Sequence, residues 1–208
     1  MLLVDVSGSR NFGTQSQLKR DMMAEVAATL AISTIANNDK VGVIFFSDKI
    51  EKYIPAKKGK GHVLHIIHEL LSFEPISKGT DIAQALQYFA NAQKRRCTAF
   101  LISDFICCGD LYKPLLVASN RHEINAIQIY DCRESELPDV GLVKFHDAET
   151  GNTLWIDTSL ASVRQDYAQS WSSQQDKLYQ LFTRTGVDHV SVRTDEDYVK
   201  ALMHLFKC

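Results

Sequence analysis

With 208 residues, 45% of them hydrophobic and 23% charged, and a net charge of -2, the chain can bury a sizeable core and excludes both a disordered and a strongly basic protein. Its Lys and Arg residues are dispersed apart from Lys57, Lys58 and Lys60, which excludes nucleic acid as a partner, and no apolar stretch approaches the ~20 residues of a membrane-spanning helix. The cysteines (Cys97, Cys107, Cys108, Cys132 and Cys208) lack CxxC spacing, so reduced thiols in a soluble, cytosolic chain are expected instead of a disulfide framework or a zinc knot.

Met1 runs into an apolar strand around Leu2 to Val6 without a basic leader, and the shortness of MLLV leaves room for a longer parent protein. The DVSGSRNFG loop leads to a helix from about Ser16 to Ala36, whose buried side is marked by Leu18, Met22, Val26, Ala27, Leu30 and Ile35. VGVIFF (Val41 to Phe46) predicts a central strand, and IEKYI (Ile50 to Ile54) a short edge strand or hairpin partner ending before Pro55. Helices follow over His62 to Leu71 and Asp81 to Lys94, then a buried strand CTAFLIS (Cys97 to Ser103), a helix near Leu111 to Ser119 and a strand INAIQIYD (Ile124 to Asp131). After Pro138, LVKFHD and TLWIDT read as a β-hairpin turning at Thr150, Gly151 and Asn152. A polar helix from about Leu160 to Thr185, stopped by Gly186, a strand HVSVRT and a helix from Glu196 to Phe206 complete the chain. The fold expected is one α/β domain: a doubly wound, mainly parallel sheet with helices on both faces, plus a C-terminal hairpin.

Acids are expensive inside buried strands, so Asp5 after MLLV and Asp104 after CTAFLIS are placed at strand ends, where parallel sheets bind ligands. If the backbone stays extended, Asp5, Ser7 and Ser9 face the same way, and Gly8 lets the chain bend toward the helix. That stretch alone serves equally well as a helix cap. Thr80, in KGTD ahead of a helix, adds a further oxygen at the same edge. Carboxylate and hydroxyl oxygens without paired His or Cys suit a hard divalent cation, Mg²⁺ first and Mn²⁺ second.

Together, Asp5-x-Ser7-x-Ser9, Thr80 in GTD and Asp104 in LISD resemble the metal-ion-dependent adhesion site of von Willebrand factor A-like domains, over roughly Met1 to Asp131. More narrowly, DVSGSRNFGT, FFSDKIEKYIPAKKG, LPDVGLVKFHDAETGNTLWIDT and the C-terminal helix are similar to the bacterial domain-of-unknown-function family fifty-eight, over nearly the whole chain. The resemblance implies that Ser7 and Ser9 bind the ion directly, that Thr80, Asp5 and Asp104 bind it directly or through water, and that an open position accepts an Asp or Glu from a protein partner. It also implies a companion, a MoxR-type AAA+ ATPase, in a chaperone-like or assembly system. Arg10 stands where Met often follows the second serine, and the membrane or β-rich segment that precedes this region in longer members is not in this sequence, which leaves membrane attachment of a parent protein open.

Two other functional classes are weighed. An Mg²⁺-dependent aspartate-nucleophile phosphatase also begins with an acid after its first strand, but it needs a second acid where this chain has Ser7, which cannot act as a general acid near neutral pH. A purely structural domain with an inactive site would keep the fold and bind no ion. His65 and His68 lie one helical turn apart without an HExxH or HxxEH pattern and read as part of an amphipathic helix. Cys107 and Cys108 are redox-sensitive only if exposed. No GxxxxGK[ST] loop is present, so ATP binding is assigned to a separate protein.

Overall fold

A computed structural model describes residues 1–8, 18–77, 79–106, 109–146 and 153–206. The strands are β1 (Leu2–Asp5), β2 (Val41–Phe46), β3 (Ile50–Lys57), β4 (Thr98–Ser103), β5 (Glu123–Tyr130), β6 (Leu142–His146), β7 (Thr153–Asp157) and β8 (Asp188–Arg193). The helices are α1 (Lys19–Ala36), α2 (Lys60–Ser72), α3 (Ile82–Ala92), α4 (Tyr112–Arg121), α5 (Cys132–Ser135), α6 (Ala161–Thr185) and α7 (Tyr198–Leu205). Six strands form one sheet in the order β3-β2-β1-β4-β5-β8, and β6 and β7 form a separate antiparallel pair. Within the large sheet only β3 runs antiparallel, at the edge beside β2.

The apolar strands behave as their composition predicts. Every residue of β1 and β2 is buried, because helices cover both faces and side chains alternate between them. Leu2 and Val4 pack with α1, α2 and α7, whereas Leu3 packs with α3, α4 and α6. The chain leaves β1 toward one face through α1 and leaves β4 toward the other through α4. Their adjacent carboxyl ends therefore flank the point where the winding reverses, which is where doubly wound sheets open a ligand crevice.

Several expectations need correction. Met22, Val26, Ala27 and Leu30 are the buried side of α1, but Leu18 and Ile35 are 39% and 41% exposed. Leu18 is the N-cap and Ile35 lies in the last turn, both at the margin of the packed stripe, while Lys19 is buried instead. The expected start at Ser16 falls outside the described residues. Pro55 does not end β3, which runs to Lys57, because a register shift opposite Gly42 lets an edge strand carry a residue that donates no hydrogen bond. Asp81 caps α3 by accepting the Gln84 N–H at 2.9 Å, and the helix stops at Ala92 before Lys94. A short helix, α5, was not anticipated; Asp131 and Glu134 close it with a reciprocal capping box. Gly186 ends α6 at φ 65°, the left-handed conformation expected of it. The hairpin is present as β6 and β7, with its turn at Thr150, Gly151 and Asn152 outside the described residues. Among the described residues, no helix is long and apolar enough to cross a membrane.

Candidate metal centre

Asp5 terminates the central strand and is 1% exposed, so each oxygen of its carboxyl needs a partner. Oδ1 accepts the Ser7 N–H at 2.9 Å, and Oδ2 accepts the Ser103 hydroxyl at 2.6 Å from the end of the neighbouring β4. Ser103 Oγ in turn accepts the Phe105 N–H at 3.0 Å. That contact fixes a sharp exit from β4, where Phe105 takes φ 57°, uncommon for a bulky side chain, and lays its ring edge-on to Phe182 at 5.2 Å.

The bend aims Asp104, also 1% exposed, into the same edge as Asp5. Its Oδ1 accepts the Ile106 N–H at 3.1 Å, and its Oδ2 accepts from the Lys19 ammonium at 2.7 Å. Gln128 of β5 donates to the Asp104 carbonyl at 3.4 Å and accepts from Ser191 of β8 at 2.8 Å, so the edge is tied through to the far strand.

Two buried carboxyls side by side disturb each other. Burial pushes the Asp5 carboxyl up to about 6, the charge of Asp104 adds to that effect, and hydrogen bonds from Ser103 and Ser7 pull the other way.

Thr80 stands at the same edge on a different loop. The N–H of Asp81 donates to the Ser47 carbonyl at 2.9 Å just past β2, while the Val6 N–H donates to the Phe46 carbonyl at 2.8 Å. Asp48 packs against Gly79, where a Cβ would come within 3.3 Å of the Asp48 side chain, so this loop must run close to the β2 exit. A groove of about 640 Å³ between α3 and α4 begins at Asp81 and passes Leu86 and Val117 to Arg121.

The structure thus brings Asp5, Ser7 and Asp104 together at the crevice and sets Thr80 on the adjoining loop. Ser9, like Cys107 and Cys108, lies outside the described residues. His65 and His68 are exposed on α2, and His65 sits 3.9 Å from Glu69. Among the described residues, no three His, Cys, Asp or Glu side chains gather as a metal cluster, so an ion here would rest on hydroxyls as much as on carboxylates. That donor set fits a hard divalent cation, because all its atoms are oxygens and two of them belong to closely placed buried carboxyls.

Sequence reasoning missed Ser103, Lys19 and Glu134. Ser103 could have been noticed as the hydroxyl directly before Asp104. The lysine and the glutamate gave no such signal, since Lys19 opens α1 and Glu134 lies in the first turn of α5, places where a solvated charge is the ordinary case.

A family model described as "Protein of unknown function DUF58" matches residues 1–177. An uncharacterized protein of Mycobacterium tuberculosis is 30% identical over 202 residues, covering 95% of this chain and 63% of its own length. The chain therefore spans less than two thirds of that relative. Over its full length it is similar in fold to the crystal structure of an aerotolerance-related membrane protein from Bacteroides fragilis, with a TM-score of 0.63 at 17% identity and 98% of that chain covered. The VWA domain of SpRpn10 superposes with a TM-score of 0.50 at 13% identity, over 99% of this chain and 91% of the other.

Proposed function

Since the chain belongs to the DUF58 family and folds as a von Willebrand factor A-like α/β sheet, we propose that it is a metal-dependent protein-interaction module and not an enzyme. Ser7, Ser9 and Thr80 would supply neutral hydroxyl ligands to a Mg²⁺ or Mn²⁺ ion, and Asp5 and Asp104 would hold it through water. The observation that carries this reading is the state of the two acids: every carboxylate oxygen of Asp5 and Asp104 already accepts a hydrogen bond from the protein. Acids held in this way supply charge and position, and hydroxyls complete the inner shell. The bound ion would supply Lewis acidity at one open position, which suits an Asp or Glu carboxylate from outside.

An aspartate-nucleophile phosphatase is not favoured. Both Asp5 oxygens are occupied and the side chain is buried, so neither is aimed at a substrate. The partner proposed is a MoxR-type AAA+ ATPase that presents an acidic residue, with the groove beginning at Asp81 as adjoining contact surface. Titration against such a purified ATPase should give binding in Mg²⁺ and none in excess chelator. Thr80→Ala should retain Mg²⁺ binding and lose about tenfold or more in partner affinity, the scale of one charge-assisted contact. Full binding in chelator, or equal partner affinity for wild type and Thr80→Ala, would place the partner elsewhere.

A further inference from the structure

Lys19 is fully buried at the start of α1, 0% exposed, and its ammonium lies 2.7 Å from Asp104 Oδ2 and 2.5 Å from Glu134 Oε1. A lysine taken out of water is costly unless it is paired, and here two carboxylates outweigh the effect of burial and hold it charged. Its position is fixed from both sides. The backbone of α1 carries it, and Glu134 is clamped by accepting the Asp131 N–H at 2.9 Å. Asp131 in turn accepts from Arg133 N–H and from the Thr194 hydroxyl, each at 2.9 Å. This places a pre-set positive charge against Asp104, one of the two acids of the candidate metal centre.

We infer that Lys19 is the internal counter-cation of the metal centre: by binding Asp104 Oδ2 it withholds that carboxylate from the ion, lowers ion affinity, and leaves the ion dependent on a partner's carboxylate. This inference rests on the proposed metal-dependent interaction. A divalent ion and an ammonium drawn to the same acid repel each other, and in the partly buried setting of this edge that repulsion is weakly screened. Removing the lysine hands Asp104 to the ion. The ion then binds more tightly and has less need of an external acid. Lys19 is accordingly a positioning residue, and a merely structural lysine would affect folding without changing ion affinity.

Mn²⁺ titration and thermal melts of the wild type, Lys19→Met and Glu134→Gln separate the two roles. Without metal, Lys19→Met should lose about 10 °C in Tm, because it leaves two acids uncompensated. Saturating Mn²⁺ should restore at least half of that loss, and Mn²⁺ affinity should rise at least tenfold over wild type. Glu134→Gln removes an acid and frees the ammonium to face Asp104 alone, so its Mn²⁺ affinity should fall by about threefold or more. This second variant decides the matter if Lys19→Met does not fold. An unchanged or weaker Mn²⁺ affinity in folded Lys19→Met, or an unchanged affinity in Glu134→Gln, would overturn the inference. A wild type that binds no Mn²⁺ would instead overturn the metal centre on which it rests.

Discussion

Asp5 shows how a single side chain can be both stable and responsive. Its two oxygens accept from Ser7 and Ser103, yet burial and the neighbouring Asp104 still raise its carboxyl to about 6. Because the folded value lies above the unfolded one of about 3.8, ionised Asp5 costs the metal-free fold stability above pH 6, and that cost is released as pH falls from 6 toward 4. A cation bound at this site would reverse the preference by holding Asp5 ionised. Mn²⁺ affinity should therefore be flat above pH 7 and fall by up to about tenfold per unit below pH 6, read by titration calorimetry across that range. Ser103→Ala should cost about 2 kcal/mol in chemical denaturation, since it strands a buried carboxylate oxygen. Asp5, Asp104 and Thr80 were legible because each interrupts an apolar run or precedes a helix at a place where its polarity needs a purpose. Lys19 was not, because its role depends on a partner 85 residues away in the chain, which no local pattern reveals, and Ser103, though next to Asp104, acts on an acid 98 residues away.

Among the elements, the edge pair β2 and β3 shows what periodicity reads well and where it fails. The run VGVIFF is a buried central strand, as expected, but IEKYI continues past Pro55 to Lys57. Gly42 explains how: a Cβ there would lie 2.7 Å from both the Ala56 nitrogen and the Ile54 carbonyl, so β3 can cross over β2 only where no side chain stands. Gly42→Val should destabilise the fold by about 2–3 kcal/mol through that backbone clash. Its Mn²⁺ affinity should remain within about twofold of wild type, because β1 and β4 carry the acids; urea melts and a titration on the same sample check both. In α1 the apolar stripe was legible through its middle turns and misleading at its ends. Leu18 and Ile35 have the right spacing for burial but lie beyond the stretch the sheet covers, and propensity gives no account of how far that cover extends.

For the molecule as a whole, the alternation of strands and helices was enough to anticipate a doubly wound, mainly parallel sheet, and the observed order places β1 beside β4. That adjacency converts separate sequence fragments into one site, because it brings Asp5 and Asp104 to the same crevice and closes it with Ser103. The short helix α5 escaped notice since its four residues are held by a cap and by the buried lysine and carry no apolar period of their own. Calorimetric titration of Mn²⁺ at pH 7.5 into the wild type and into the double variant Ser7→Ala, Ser9→Ala decides whether the two serines hold a metal ion. A single ion per chain is expected for the wild type and no binding heat for the double variant, with its melting temperature within a few degrees of wild type. A double variant that binds Mn²⁺ with unchanged affinity would contradict that role for the serines.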